Sequence, residues 1–534
     1  MGFKTADLWR KPDLNPVNRK AKSVPVLNPI DRHGRVFSFS WLGFMLAFWA
    51  WYAFPPLLTV TIKKDLGLTP EQVANSNIVS LVATLAVRFV CGPLCDLWGP
   101  RKVFSAILLL GSIPIGLAPL IKDATGLYII RLFIGILGGS FVPCQVWCTG
   151  WFDKTVVGTA NALSGGWGNA GGGITFFIMP AVFDSLVHHW GHTHREAWRI
   201  TFVVPLICLI ACGIGLLVLC EDTPMGKWSE RHNVGRDLEA RDISGAVVSV
   251  PGTIADREPS GATTPAGGKV SSDDLEKGST DDNKSPFPPA TTTAASSPHA
   301  TSTNLALPGA TAIIETAHAE VIQTPSFRTS LPIVFSLHAL FHVATYACSF
   351  GGELAVNSVL SSYYLKNFPY LGQTRASNYA AVFGFLNFLT RPLGGVIGDV
   401  LYNISGGNLW LKKAWVHVCG VVAGALLIVI GVLDPHNLGV MIGLVIVMAI
   451  FLEAGNGANF ALLPHVYPHA NGVLSGLTGA GGNLGGVVFA IVFRFMDGGS
   501  DYAKAFWVIG VMHIALNLVV CWVPPIPKGQ VGGR

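Results

Sequence analysis

The sequence predicts an all-α membrane protein with twelve transmembrane helices in two pseudo-symmetric six-helix bundles. Three observations predict it: a shortage of charge, a series of apolar runs long enough to cross a bilayer, and matched motifs that recur in the same order in both halves. Half of the 534 residues are hydrophobic and 13% are charged, against about 25% in a soluble domain. A water-facing surface of this size needs more charge than that, so the solvent is lipid. The 61 glycines suit close packing of membrane helices.

The chain divides in order. Residues 1–35 form a basic tail with Lys4, Arg10, Lys11, Arg19, Lys20, Lys22, Arg32 and Arg35 ahead of the first apolar run. There is no cleavage-site pattern, and the charge follows the positive-inside rule, so the tail is expected in the cytoplasm. The N-terminal bundle, 36–221, contains spans one to six at 36–58, 76–97, 102–121, 127–151, 156–183 and 198–221. Residues 222–328 are rich in Ser, Thr, Pro, Ala and Gly and bury too little apolar surface to fold alone. They read as a disordered cytoplasmic linker. The C-terminal bundle, 329–523, contains spans seven to twelve at 331–363, 377–401, 414–433, 438–463, 472–497 and 502–523. Residues 524–534 return as a second cytoplasmic tail. Each span has about twenty residues or more, enough for about 30 Å of hydrocarbon. The net charge of +5 is not gathered on a basic folded domain, which excludes a nucleic-acid partner. The partner of the surface is the bilayer.

Span two contains Arg88, Gly92 and Asp96, and span eight repeats the spacing with Arg391, Gly395 and Asp399. Span five contains a glycine run around Asn169, and span eleven a matching run around Asn483. The two pairs mark a six-plus-six duplication. Asp96 lies at the cytoplasmic end of span two, so Arg88, eight residues deeper, sits about 12 Å inside. Arg391 has the same depth by symmetry. An arginine there costs about 2.5–3.5 kcal/mol by insertion scales. Snorkelling or a structural ion pair is the bland account. Two such residues, without a carboxylate at matched depth in their own spans, point instead to an anion. Guanidinium is a planar, permanently charged fork that fits a flat oxyanion such as nitrate. Asn169 and Asn483 are placed to donate from the sides, and the glycines leave room, although helix packing alone also calls for them. Among the aromatics, Phe48 in span one is a candidate wall. Tyr346 in span seven is the best polar ligand, since a buried hydroxyl needs a partner.

Cysteines four apart, such as Cys91 and Cys95, share a helix face, but no His or carboxylate completes a metal site. No metal, cofactor or catalytic residue is expected: no nucleophile–base arrangement and no nucleotide loop stands out, so the chain does not read as an enzyme.

These residues resemble the major facilitator superfamily. Gly92-Pro93-Leu94-Cys95-Asp96 through Gly99-Pro100-Arg101-Lys102 is similar to its loop motif, in which the Asp and the basic residues form a cytoplasmic latch. The resemblance therefore assigns Gly92, Asp96, Arg101 and Asp399 to gating. Arg131-Leu132-Phe133-Ile134-Gly135 resembles a motif associated with proton-coupled members. More narrowly, the chain resembles the nitrate/nitrite porter family and its fungal high-affinity nitrate transporters, through the two glycine–asparagine runs and through Trp51-Tyr52-Ala53-Phe54-Pro55-Pro56, Tyr346 to Leu354 and Glu453 to Phe460. The resemblance implies the major facilitator fold, a plasma-membrane location, nitrate and nitrite as substrates, and an anion clamped by Arg88 and Arg391 near Asn169, Asn483 and Tyr346. Uptake against a negative-inside potential needs energy, about 2.3 kcal/mol per charge per 100 mV. Symport with protons supplies it, and with two protons the uptake is electrogenic. Glu353, Glu453 and Arg131 are the candidate coupling residues. Nitrate–nitrite exchange and a non-transporting nitrate sensor are the alternatives.

Overall fold

The ends of the helices follow from local chemistry more than from hydropathy. The computed structural model describes residues 5–15, 19–153, 156–228, 327–467 and 471–527, without the side chains at 96, 327–330, 471 and 472. Most of the linker and the last residues of the C-terminal tail therefore lie outside the described residues. Span one begins at Arg32, where the Asp31 carboxylate caps the backbone N–H groups of His33 and Gly34. It breaks after Trp51 and resumes over Pro55–Leu58, because a proline ring supplies no N–H. Span two runs over Pro70–Trp98, six residues earlier than the apolar pattern predicts. A capping box between Thr69 and Gln72 starts it in a polar stretch.

Span four changes to a 3-10 turn over Gly135–Ser140 between Ala124–Ile134 and Phe141–Trp151. Span two crosses there so closely that a β-carbon on Gly138 would lie 2.3 Å from the Thr84 methyl. Span five consists of Val157–Asn169 and Gly171–His188, and span six of His194–Thr201 and Val203–Leu219. The second half contains Leu337–Asn367, Gly372–Ile404, Leu409–Leu433, Leu438–Leu462, Asn471–Phe495 and Tyr502–Val519.

Eleven of the described helical stretches are long and apolar enough to cross a bilayer. The twelfth expected span, Leu337–Asn367, has ample length at 31 residues but lower apolarity, because it carries His342, Tyr346, Glu353 and Asn357 on buried positions. These same polar groups make it part of the site.

Across the two halves, span eight packs along span five and span eleven along span two. These are the four spans with the repeated motifs. Gly173 and Gly384 allow the first pair to touch: a β-carbon on Gly384 would stand 2.2 Å from the Gly173 nitrogen. Polar contacts between the halves gather at the end remote from the N-terminus. Arg494 reaches Glu71 at 2.9 Å and Asn75 at 3.0 Å, Thr374 donates to Asp184 at 2.7 Å, and the Gln373 carbonyl accepts from the Thr61 N–H at 2.9 Å. Trp167 and Phe388 stack with centroids 4.7 Å apart.

The basic tail is partly docked onto the bundle. Ala21 pairs through its backbone with Trp151 and Asp153 at the end of span four, and Asn15 donates to the Asp153 carboxylate at 2.7 Å.

Replacing Gly384 by alanine is expected to force spans five and eight apart, with a loss of about 1–3 kcal/mol from overpacking. Thermal unfolding of the purified protein in detergent checks it, and an unchanged midpoint would refute this reading of the contact.

Candidate functional site

The fold brings the two repeated arginines to one place. Arg88 and Arg391 are 5% and 3% exposed, and both line a cavity of about 600 Å³ between the halves. Each guanidinium is held on one side by the protein. Arg88 Nε donates to the Gly138 carbonyl at 2.9 Å, which the 3-10 turn of span four presents, and one Nη donates to the Gly479 carbonyl of span eleven at 3.1 Å. Arg391 Nη2 donates to the Tyr346 hydroxyl at 2.6 Å.

The two cations share a pair of aromatic walls. Arg88 lies 5.0 Å from the Phe141 ring and 5.3 Å from the Phe350 ring. Arg391 lies 5.9 Å and 5.5 Å from the same rings. Ring faces attract cations and exclude water. What remains unsatisfied is specific: Arg88 Nη2 and Arg391 Nη1 are buried without a hydrogen-bond acceptor. Among the described residues, neither arginine forms an ion pair with a carboxylate. A charged group so placed is expensive unless something completes its shell. Two unbonded Nη groups and two cations without a directly paired carboxylate, beside one cavity, are suited to a small anion.

The glycine–asparagine runs meet this site from the sides. A β-carbon on Gly165 of span five would come 3.6 Å from Arg391 Nε, an ordinary contact, so span five passes directly beside the arginine of the other half. Asn169, one turn on, is buried with neither amide atom bonded. Asn483 donates back to the Gly479 carbonyl at 3.1 Å, and its Oδ1 is unbonded. Neither asparagine lines the cavity wall; each lies one turn behind a glycine that does, Gly165 or Gly479.

Phe48 is elsewhere. Its ring packs 4.6 Å from Phe44 and 6.0 Å from Tyr52 within the first half and does not line the cavity. Phe44 in turn meets Phe141 at 5.6 Å, so Phe48 is behind the wall it was expected to form. Phe141 lines the cavity and takes that place, while Phe350 lies against both arginines without lining it. Phe350 follows Tyr346 by four residues on one helix and stacks on it at 5.2 Å, a spacing that sequence alone offers. Nothing comparable marks Phe141.

The latch residues also take other partners. Gly92 lines the cavity. Arg101 grips Asp222 with Nε to Oδ1 at 3.0 Å and Nη2 to Oδ2 at 3.2 Å, and donates to the Leu217 and Cys220 carbonyls. It therefore ties span three to the end of span six. Asp399 pairs with Lys412 at 2.7 Å, tying span eight to span nine. The Asp96 side chain lies outside the described residues.

The coupling candidates separate into two places. Glu353 accepts from Asn387 at 2.8 Å and from Asn456 at 2.7 Å, and Asn456 lines the cavity. Glu453 contacts the Thr390 hydroxyl at 2.5 Å, next to Arg391. Arg131 is remote from both. It donates to Asn77 Oδ1 at 2.5 Å and lies 5.8 Å from the Trp51 and Phe54 rings in the first half. Outside the bilayer at the closed end, Asp65 is partly buried, which by itself raises its pKa. The Arg199 and Trp198 donors and the nearby Arg195 outweigh this and hold the carboxyl below its ordinary value.

Removing the Tyr346 hydroxyl in Tyr346→Phe leaves a second Arg391 N–H unsatisfied, at about 1 kcal/mol. Anion affinity, read by equilibrium binding to the purified protein, is expected to fall about fivefold. An unchanged affinity would show that the hydroxyl does not position the arginine.

Comparison with known proteins follows the same lines. Residues 40–411 match the family model described as the Major Facilitator Superfamily. The chain is 33% identical to Elsinochrome transporter 1 of Elsinoe fawcettii, over 97% of this chain and 98% of that one. It is 29% identical to the high affinity nitrate transporter 2.5 of Arabidopsis thaliana, over 94% and 82%. It is 27% identical to the nitrate/nitrite transporter NrtP of Nostoc punctiforme, over 94% of each. Among solved structures, the inward open xylose transporter XylE from E. coli superposes with a TM-score of 0.57 at 12% identity, over 93% of this chain and 97% of that one.

Proposed function

We propose that this chain, which belongs to the Major Facilitator Superfamily, is a member of the nitrate/nitrite porter family that imports nitrate and nitrite by alternating access, as its nitrate-transporter relatives support. Family membership makes it a membrane transporter and not an enzyme. The observation that carries the substrate is the buried arginine pair, with one Nη group unbonded on each guanidinium and no described carboxylate within ion-pair distance of either. Nitrate is flat, carries one charge and has three equivalent oxygens. It can accept from both forks at once while the Phe141 and Phe350 rings exclude water.

Alternating access follows from the arrangement of contacts. The halves are joined at the remote end and separated by the cavity at the end where the N-terminal tail begins. Rocking about the arginine pair closes the cavity and breaks the Arg494–Glu71 and Thr374–Asp184 contacts. We assign the open end to the cytoplasm, with both termini there, since the basic tail obeys the positive-inside rule, and the protein to the plasma membrane by its resemblance to the fungal high-affinity nitrate transporters. Inward movement of an anion against a negative interior then requires a coupling ion, and proton symport is the mode we favour. The buried carboxylates beside Arg391 support it.

A second reading is carried by the relative named for elsinochrome, which shares 33% identity over nearly the whole chain. In that case elsinochrome is the cargo and nitrate is not taken up.

The test is uptake by the purified protein in liposomes. Nitrate accumulation driven by an inward proton gradient is the expected result. Uptake only into nitrite-loaded vesicles would establish exchange in its place, and binding without movement a sensor. Arg88→Lys retains the charge and loses the fork, so nitrate affinity is expected to fall by at least about tenfold, equivalent to about 1.4 kcal/mol. Near-normal affinity in that variant would refute the clamp.

A further inference from the structure

Behind the anion site, spans seven, eight and ten enclose a second buried polar cluster. Glu353 accepts one amide N–H on each carboxylate oxygen, from Asn387 and from Asn456. That is the hydrogen bonding of an ionised carboxylate. Glu453 is treated differently. It is fully buried, one oxygen has no partner, and the other meets the Thr390 hydroxyl at 2.5 Å.

Thr390 has a second acceptor, the Leu386 carbonyl at 2.8 Å. A hydroxyl has one hydrogen and two lone pairs. It can donate to Glu453 when that carboxyl is ionised, or donate to the Leu386 carbonyl and accept from Glu453 when it is protonated. The hydroxyl therefore keeps a partner for its hydrogen in either protonation state without moving a heavy atom. The amide partners of Glu353, as oriented, offer donors only.

The two carboxyls and the anion site form one electrostatic unit. Asn387 and Thr390 lie one turn apart on span eight, directly before Arg391, and Glu453 and Asn456 lie one turn apart on span ten. The other charged or titratable groups packed around them are Arg391 on span eight, Tyr346 on span seven and Tyr52 of span one, whose hydroxyl lies 3.4 Å from the Leu354 carbonyl. Cys419 of span nine stands against Gly455, and His513 of span twelve against Gly352. Arg88 shares the ring walls with Arg391.

Counting fixed charges gives the linkage. Two arginines and one ionised Glu353 leave one excess positive charge. In the empty site, ionised Glu453 cancels it. When a monovalent anion binds, the anion cancels it, and Glu453 must take up a proton for the buried charge to stay at zero. Uncompensated charge away from water is the most expensive alternative. By reciprocity, the proton then favours the anion as much as the anion favours the proton.

We infer that Glu453, switched through the Thr390 hydroxyl, binds one proton with each anion held by Arg88 and Arg391, while Glu353 remains the fixed counter-charge. No bond other than O–H forms or breaks: the proton comes from water on the open side and leaves on the other. The inference rests on the anion-transport reading and names the coupling residue within it.

The test combines nitrate calorimetry, in buffers of different ionisation enthalpy, with uptake by the full-length protein in liposomes. Wild type is expected to take up close to one proton per nitrate bound. Glu453→Gln is expected to bind nitrate with little pH dependence, to take up close to none, and to lose pH-driven accumulation by at least tenfold while nitrate–nitrite counterflow continues. Proton uptake and gradient-driven accumulation that persist in Glu453→Gln would overturn the assignment and leave the transport reading intact, as would nitrate binding without proton uptake in wild type. Wild type that neither binds nor moves nitrate would overturn the transport reading itself. If Glu453→Gln does not fold, Thr390→Val decides: loss of the switching hydroxyl is expected to shift the pH midpoint of nitrate binding by at least half a unit, and an unshifted midpoint counts against the inference.

Discussion

A guanidinium taken out of water has to recover its lost solvation from the protein, and two of them in one place repel each other as well. The surroundings of Arg88 and Arg391 are arranged under this constraint. The Gly138 and Gly479 carbonyls and the Tyr346 hydroxyl replace part of the water, and the shared Phe141 and Phe350 rings contribute their negative faces. The replacement stops short on both residues: one Nη group of each is unbonded, and no described carboxylate lies within ion-pair distance. Burial that is nearly but not fully compensated is the feature on which the proposed anion site rests.

The same constraint accounts for the glycines. Each arginine crosses to the opposite half: Arg88 donates to span eleven, and Arg391 lies against Gly165 of span five. Spans two, five, eight and eleven must approach closely for these reaches to succeed, and the Gly173–Gly384 contact shows how close they come. In the proposed rocking motion the site is also the pivot. Ionic clamps within each half, Arg101 with Asp222 and Asp399 with Lys412, stiffen the ends of neighbouring spans. The contacts between halves at the closed end are a few polar groups. Stiff halves with a lightly bonded seam suit rigid-body rocking.

Much of this was legible in the sequence because duplication repeats a costly feature. One buried arginine has several explanations; two at matched positions, with matched glycine–asparagine runs, have few. Tyr346 was found by the simple rule that a buried hydroxyl seeks a partner. Phe48 misled because aromatic composition reveals no direction, and its ring turns into the first half. Phe141 was hidden because it follows a 3-10 turn that shifts the helix face, a local irregularity that helical periodicity does not foresee. The reach of Arg101 to Asp222, 121 residues away, was invisible for the same reason that most tertiary pairings are. The lower apolarity of span seven, which sequence analysis passed over, is in the structure the mark of its buried polar groups.

The most direct test of the central claim is a high-resolution map of the full-length protein with and without nitrate. The account predicts added density for one planar anion between the two guanidinium groups, within hydrogen-bond distance of Arg88 Nη2 and Arg391 Nη1 and edged by the Phe141 and Phe350 rings. An anion bound elsewhere in the cavity, or a carboxylate closed directly onto either arginine in both maps, would contradict it.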